Sequence, residues 1–178
     1  MPDLKSIPDE IKWQLASDYA ARLPALYDAA FRKCLGEKYD ELEREIWIEL
    51  SQRALVIARD LGFPLKNAHD LSESMRSVFA ILFGPEYRSE TIDVSEDGSV
   101  ILVKRCPFLD TGYEIGTKGE HIFLPRCMAL TLTTIPGLRK EYAARYVRSM
   151  CTGDRQCEIK IGREKKAEDP ASAKEKKR

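Results

Sequence analysis

The chain has 178 residues, 43% hydrophobic and 33% charged, with 29 basic side chains balanced by 29 acidic ones. That length accommodates one ordinary domain, and the composition is that of a soluble globular protein without the run of about eighteen apolar residues that crosses a bilayer. It also lacks the clustered basic face that a phosphate backbone demands, so neither a membrane nor a nucleic acid is expected as partner.

From Pro8 to Leu61 helix formers dominate, interrupted only by Pro24 and Gly36, and two or three helices are predicted. The clearest runs from about Lys38 to Leu61, where Leu42, Ile46, Leu50, Ile57 and Leu61 line one side before Gly62 and Pro64 end it. Trp47 and Ile48 lie off that stripe, so a second buried face is expected, within the domain or between subunits. Arg44, Glu45, Glu49 and Arg53 make a solvated face. A further helix starts near Asp70 or Ser72, buries Leu71, Met75, Val78, Phe79 and Leu82, and stops at Gly84-Pro85.

After Pro85 the pattern alternates. Thr91 to Val94 and Ser99 to Val103 flank the turn signal Asp97-Gly98, which predicts a hairpin ending at Cys106-Pro107. The apolar stretch His121 to Leu130 reads as a helix beginning near Pro125 and ending at Ile135-Pro136-Gly137. Tyr142 to Met150 then reads as a strand, Thr152-Gly153-Asp154 as a turn, and Cys157 to Ile161 as the closing strand. Helices followed by an antiparallel sheet with an inserted helix is an α+β pattern. The expected organisation is a helical extension over 1–37, a cysteine-containing domain over 38–162 and a flexible charged tail over 163–178. That tail carries seven basic and four acidic residues and no large apolar one.

Chemistry is concentrated in the cysteines. Five is an odd number in a chain whose start, Met1-Pro2-Asp3-Leu4-Lys5, has no signal-peptide pattern; a cytosolic, reducing setting is expected, with thiols free or metal-bound. In the closing hairpin Cys151 and Cys157 share strand parity with Ile159 and Ile161, which would turn both thiols to one face. Gly153 permits a positive φ there, Asp154 can bond its own turn, and neighbouring N–H groups can stabilise thiolate charge. Cys106 and Cys127 would complete a set of four.

Read as a metal site, Cys106, Cys127, Cys151 and Cys157 suit tetrahedral zinc or an iron-sulfur cluster of the 4Fe-4S type, since both take soft sulfur ligands. The spacing contains no Cys-x-x-Cys knuckle, and Cys106-Pro107 leans toward a cluster. Read as structure, the same residues are small buried hydrophobes. His121 is an alternative ligand close to Cys127, and His69 reads as structural.

The stretch from Arg105-Cys106-Pro107 through Cys127, with Met150-Cys151-Thr152-Gly153-Asp154-Arg155-Gln156-Cys157-Glu158-Ile159-Lys160-Ile161, resembles the L-2-amino-thiazoline-4-carboxylic acid hydrolase-like family. It is also similar to the 4-vinyl-reductase, or hydrocarbon-binding, domain group. The resemblance covers roughly residues 40 to 162. It implies helices packed on an antiparallel sheet, a small-molecule ligand, frequent pairing as a homodimer, and Cys106, Cys127, Cys151 and Cys157 as the functional positions. It also implies opening of a thiazoline ring as one activity, for which Cys thiolates, His121, Asp110 and Asp154 are candidate nucleophile, base or acid.

Two functions are therefore expected in rivalry. One is small-molecule or redox sensing through a cysteine-anchored site, with Phe108, Tyr113, Phe123, Leu124 and Met128 as pocket wall. The other is hydrolysis of a small heterocycle, which requires metal-bound hydroxide with an open coordination position, or a nucleophile.

Overall fold

The computed structural model describes residues 4–164. The charged tail predicted to be flexible falls, from residue 165 onward, outside the described residues. Three long helices come first: α1 (Asp9–Leu35), α2 (Lys38–Asp60) and α3 (Ala68–Phe83). The hairpin β1 (Arg88–Ser95) and β2 (Gly98–Arg105) follows, then a helical crossover, then β3 (Tyr142–Arg148) and β4 (Cys157–Arg163). The four strands form one antiparallel sheet in the order β1-β2-β4-β3, which establishes the α+β class.

The central pair sets the interior. Ile101 lies opposite Ile159 and Val103 opposite Cys157, so alternate residues of β2 and β4 turn inward together. Ile101, Ile159 and Ile161 are almost solvent-free, and α3 covers them with Leu71, Met75 and Val78. The start of α3 lies two residues earlier than predicted because Asn67 caps it, its side-chain oxygen accepting from Asp70 N–H at 2.8 Å.

Three elements differ from the sequence expectation. Pro24 does not break α1, which runs on for 27 residues and buries only Ser17, Ala21, Ala25 and Asp28. These small residues let it lie close to its neighbours: a Cβ on Gly84 would stand 2.0 Å from Ser17 Oγ. Around α2 most of the predicted apolar stripe faces outward: Leu42, Ile46, Leu50 and Leu61 are exposed and Ile57 alone packs against the core, while Tyr39, Glu43, Trp47, Ser51, Ala54, Leu55 and Ala58 are buried. The buried face carries two polar residues and two alanines, which a purely apolar count overlooks.

The helical crossover is also longer than predicted. After α4 (Pro107–Ile115), unforeseen in the sequence, the chain coils without interruption through α5 (Gly119–Ile122), a π-helical segment (Phe123–Met128) and α6 (Ala129–Leu138). Pro125 has no N–H to donate, so the hydrogen-bond ladder widens around it instead of starting there. Pro136 is likewise inside α6.

Candidate functional site

The four cysteines arrive from four different elements. Cys106 is the residue before α4, Cys127 sits in the π-helical segment, Cys151 in a 3-10 turn (Met150–Thr152) and Cys157 at the head of β4. Cys151 is therefore not on a strand, and the parity argument for it fails. The strand stops at Arg148 because Ser149 caps the turn, its hydroxyl accepting from Cys151 N–H at 3.2 Å. Asp154 and Gly153 shape the reversal as expected: Ser149 N–H donates to Asp154 Oδ2 at 2.8 Å, and Gly153 holds a φ of 100°.

All four side chains nevertheless meet at one place. They line a cavity of about 30 Å³ with Phe79, Phe83, Tyr87, Val103, Tyr146 and Ile159. A second cavity of about 20 Å³ adjoins it, walled by Trp47, Phe108, Arg126, Leu130 and Thr131. Phe79, Phe83, Cys127 and Tyr146 belong to both walls and form the partition between them. Phe83 meets Phe108 at 4.6 Å between ring centroids, and Phe108 meets Trp47 edge-on at 5.4 Å. The interior is thus a continuous aromatic layer with thiols at one end.

The thiols are not equivalent. Burial pushes Cys106 up to about 12, and burial likewise raises Cys157, although Met150 N–H donates to its sulfur at 3.3 Å. Cys151 moves the other way. A hydrogen bond from Cys127 stabilises its thiolate, with help from the Ser149 hydroxyl and the charge of Arg126, while Cys127 as donor is held well above its ordinary value. The two titrate as one pair in which Cys151 ionises first.

At the opposite end Arg126 and Glu43 form a buried ion pair, 1% and 2% exposed, with Nε donating to Oε1 at 2.6 Å. Arg126 Nη2 donates to Pro24 O at 3.1 Å, and Nη1 is buried without a partner. Glu43 also groups with Asp28 and Asp40, their oxygens within 4.8 Å of one another, and Arg32 bridges the two aspartates. Nothing in the sequence drew attention to Arg126 or Glu43.

The geometry bears on a metal at the thiol end. Among the described residues the acidic trio is the one set of three such side chains whose donor atoms all lie within 4.8 Å. No three cysteine sulfurs do. Tetrahedral zinc thiolates, with Zn–S near 2.3 Å, place sulfurs about 3.8 Å apart, so the thiols as arranged wall a cavity and do not form a ready chelate. His121 turns to Asp40, Nδ1 to Oδ2 at 3.4 Å, and Asp110 pairs with Arg105 at 3.1 Å, so neither joins the thiols. His69 is exposed and bonds Asp93 at 2.9 Å. The predicted pocket wall also divides. Phe108 is interior and Phe123 packs edge-on against Tyr146, but Tyr113 is exposed, and Leu124 and Met128 line an open outer groove with Arg44 and Ile48.

No protein-family model matches the chain, and no curated protein matches it in sequence. Solved structures do share its fold. A trafficking protein particle complex subunit 3 from Naegleria fowleri, covalently bound to palmitic acid, superposes with a TM-score of 0.59 at 12% identity, covering 87% of this chain and 99% of that one. The phenol-responsive sensory domain of the transcription activator PoxR, with phenol, gives 0.55 at 13%, covering 86% and 79%. Among the described residues no helix is long and apolar enough to cross a membrane.

Proposed function

We propose that the chain binds a small apolar ligand, aromatic in character, between its helices and its sheet, and works as a small-molecule sensing or binding protein. The observation that carries this is the pair of adjoining cavities walled by aromatic rings and four thiols. Aromatic and apolar walls with a few polar groups are the lining that small-molecule sites use. The two proteins of like fold were solved with phenol and with palmitic acid, both largely apolar molecules. The cavities are smaller than the roughly 150 Å³ that accommodates benzene, so binding requires the partition to move. Phe83 and Tyr146 are only half buried and are the rings that can turn. Titration with toluene, phenol and octanoate, followed by thermal unfolding, should give a saturable rise in Tm for at least one. A Cys127→Leu variant, which fills the partition, should abolish it. No saturable rise from any of the three sinks the reading.

A soft metal at the thiol end is a second reading, favoured by the convergence of all four cysteines on one cavity. Zinc or an iron-sulfur cluster would have to draw Cys106, Cys127, Cys151 and Cys157 into a ligand set they do not now form. Elemental and labile-sulfide analysis of anaerobically purified protein decides it: less than stoichiometric zinc or iron removes the reading. Ring hydrolysis has no comparable support: His121 and Asp110 pair with Asp40 and Arg105 away from the thiols, and the Asp154 carboxylate accepts from Ser149 N–H to hold the turn.

We infer, third, that two copies pair through the outer face of α2. Leu42, Ile46 and Leu50 recur every four residues on that face, all exposed. An antiparallel pairing centred on Ile46 sets Leu42 against Leu50 of the second copy, so the apolar row is self-complementary. Sedimentation at micromolar concentration should show a dimer that Ile46→Glu dissociates without loss of fold. A monomeric native chain at 100-fold higher concentration overturns the pairing.

A further inference from the structure

We propose that Arg126 is the polar anchor of the interior site and that its Nη1 selects an uncharged aromatic ligand bearing one oxygen acceptor, such as an aryl ketone or a phenol. This rests on the ligand-binding reading above and specifies its chemistry. Arg126 belongs to the wall of the aromatic cavity with Trp47, Phe108 and Thr131, and it is 1% exposed. Two of its nitrogens are engaged, Nε with Glu43 and Nη2 with Pro24 O. Nη1 is buried and has no partner. A buried guanidinium N–H left unpaired is costly, and an interior that retains one beside a cavity holds a hydrogen-bond donor in reserve.

The charge of the ligand follows from Glu43. The guanidinium is already neutralised by a carboxylate at 2.6 Å inside the protein, so a second anion would add an uncompensated negative charge in a place with almost no water. A neutral oxygen meets the donor without that penalty. The aromatic wall of Trp47, Phe83 and Phe108 favours a ring, and the partition of Phe83 and Tyr146 must swing aside to admit it.

The test compares acetophenone with α-methylstyrene, which has the same outline but a CH₂ in place of the carbonyl oxygen. Calorimetric titration of the native protein should find acetophenone bound about tenfold or more tightly, and benzoate weaker than acetophenone. In Arg126→Gln the preference for the ketone should fall to near unity. The side-chain ¹⁵N resonances of Arg126 in native protein supply a second readout that does not depend on the stability of the variant, and acetophenone should shift them while α-methylstyrene should not. Equal affinity for the two molecules, tighter benzoate, or a ketone preference that survives in Arg126→Gln overturns the assignment to Arg126 while leaving the pocket standing. If neither molecule binds and toluene does not either, it is the pocket reading that has failed, and this proposal falls with it.

Discussion

The two ends of the interior solve the problem of buried polarity in opposite ways. At the thiol end polarity is cheap: sulfur is nearly apolar, burial keeps Cys106 and Cys157 protonated, and only Cys151, held by Cys127 and the Ser149 turn, is eased toward a thiolate. At the other end polarity is expensive, and full charges are buried in pairs. One end can adapt to what it meets. The other is fixed in position and therefore suited to orienting a ligand. Arg126 links them, because its charge is among the causes that lower Cys151.

The largest effect should come from dividing the ion pair. Arg126→Met strands the Glu43 carboxylate and should cost about 3–5 kcal/mol in urea unfolding. Joining it to Glu43→Leu should recover most of that loss. A double variant no more stable than the single one would show that the pair contributes by packing, not by charge balance.

Next comes a probe of the thiol end. Gly119 lies so close to the Cys151 turn that a Cβ would stand 2.1 Å from Cys151 O and 2.9 Å from its carbonyl carbon. Backbone cannot yield as a side chain can, so Gly119→Ala should cost about 1–3 kcal/mol and displace the turn. Gly116→Ala, a strained position at φ 89° with open space around it, serves as the control for backbone strain alone. Gly119 is not among the positive-φ glycines, so unchanged stability in Gly119→Ala would remove the close approach as cause.

These contrasts mark what the sequence could reveal. The β1-β2 hairpin, the limits of α2 and the buried stripe of α3 were legible because local chemistry decides them, although the loop falls on Glu96-Asp97 and Gly98 already opens β2: alternation on either side of a polar turn, a terminal glycine, a clean 3.6-residue period. The grouping of the four cysteines was legible only as a suspicion, and the route to it was different, since Cys151 comes from a turn and Cys127 from a π-helical segment. The orientation of α2 was not legible. Of its strongest apolar stripe, Leu42, Ile46, Leu50 and Leu61 face outward because tertiary packing places the Glu43 to Ala58 face, completed by Arg126 from 83 positions away, against the body. No window of local sequence contains that partner.

A smaller effect is expected at the partition. Thr131 Oγ1 lies 3.0 Å from the Tyr146 hydroxyl, which also donates to Cys127 O at 3.2 Å. Thr131→Val keeps the shape and removes one bond, for a loss of about 0.5–1.5 kcal/mol. It should also free the ring to swing and so speed ligand association in stopped-flow measurements. An unchanged association rate would place the moving part elsewhere, with Phe83 the remaining candidate.

The smallest change in stability, and the sharpest test of the thiol end, is in reactivity. In a Cys34→Ser background, which removes the exposed thiol, iodoacetamide should modify Cys151 ahead of Cys106. The thiolate is the nucleophile, so a lowered pKa moves the rate profile of Cys151 to pH values below the ordinary 9.0, whereas Cys106, pushed up to about 12, stays unreactive through that range. Cys127→Ala removes the donor that leads the causes of the lowering, and the Cys151 profile should then move to higher pH, with a slower rate at pH 7.5. Cys127→Ser keeps a donor in place and should preserve most of the rate. If alanine and serine behave alike, the Ser149 turn and the charge of Arg126 hold the thiolate without Cys127, and the reactive centre belongs to the turn alone.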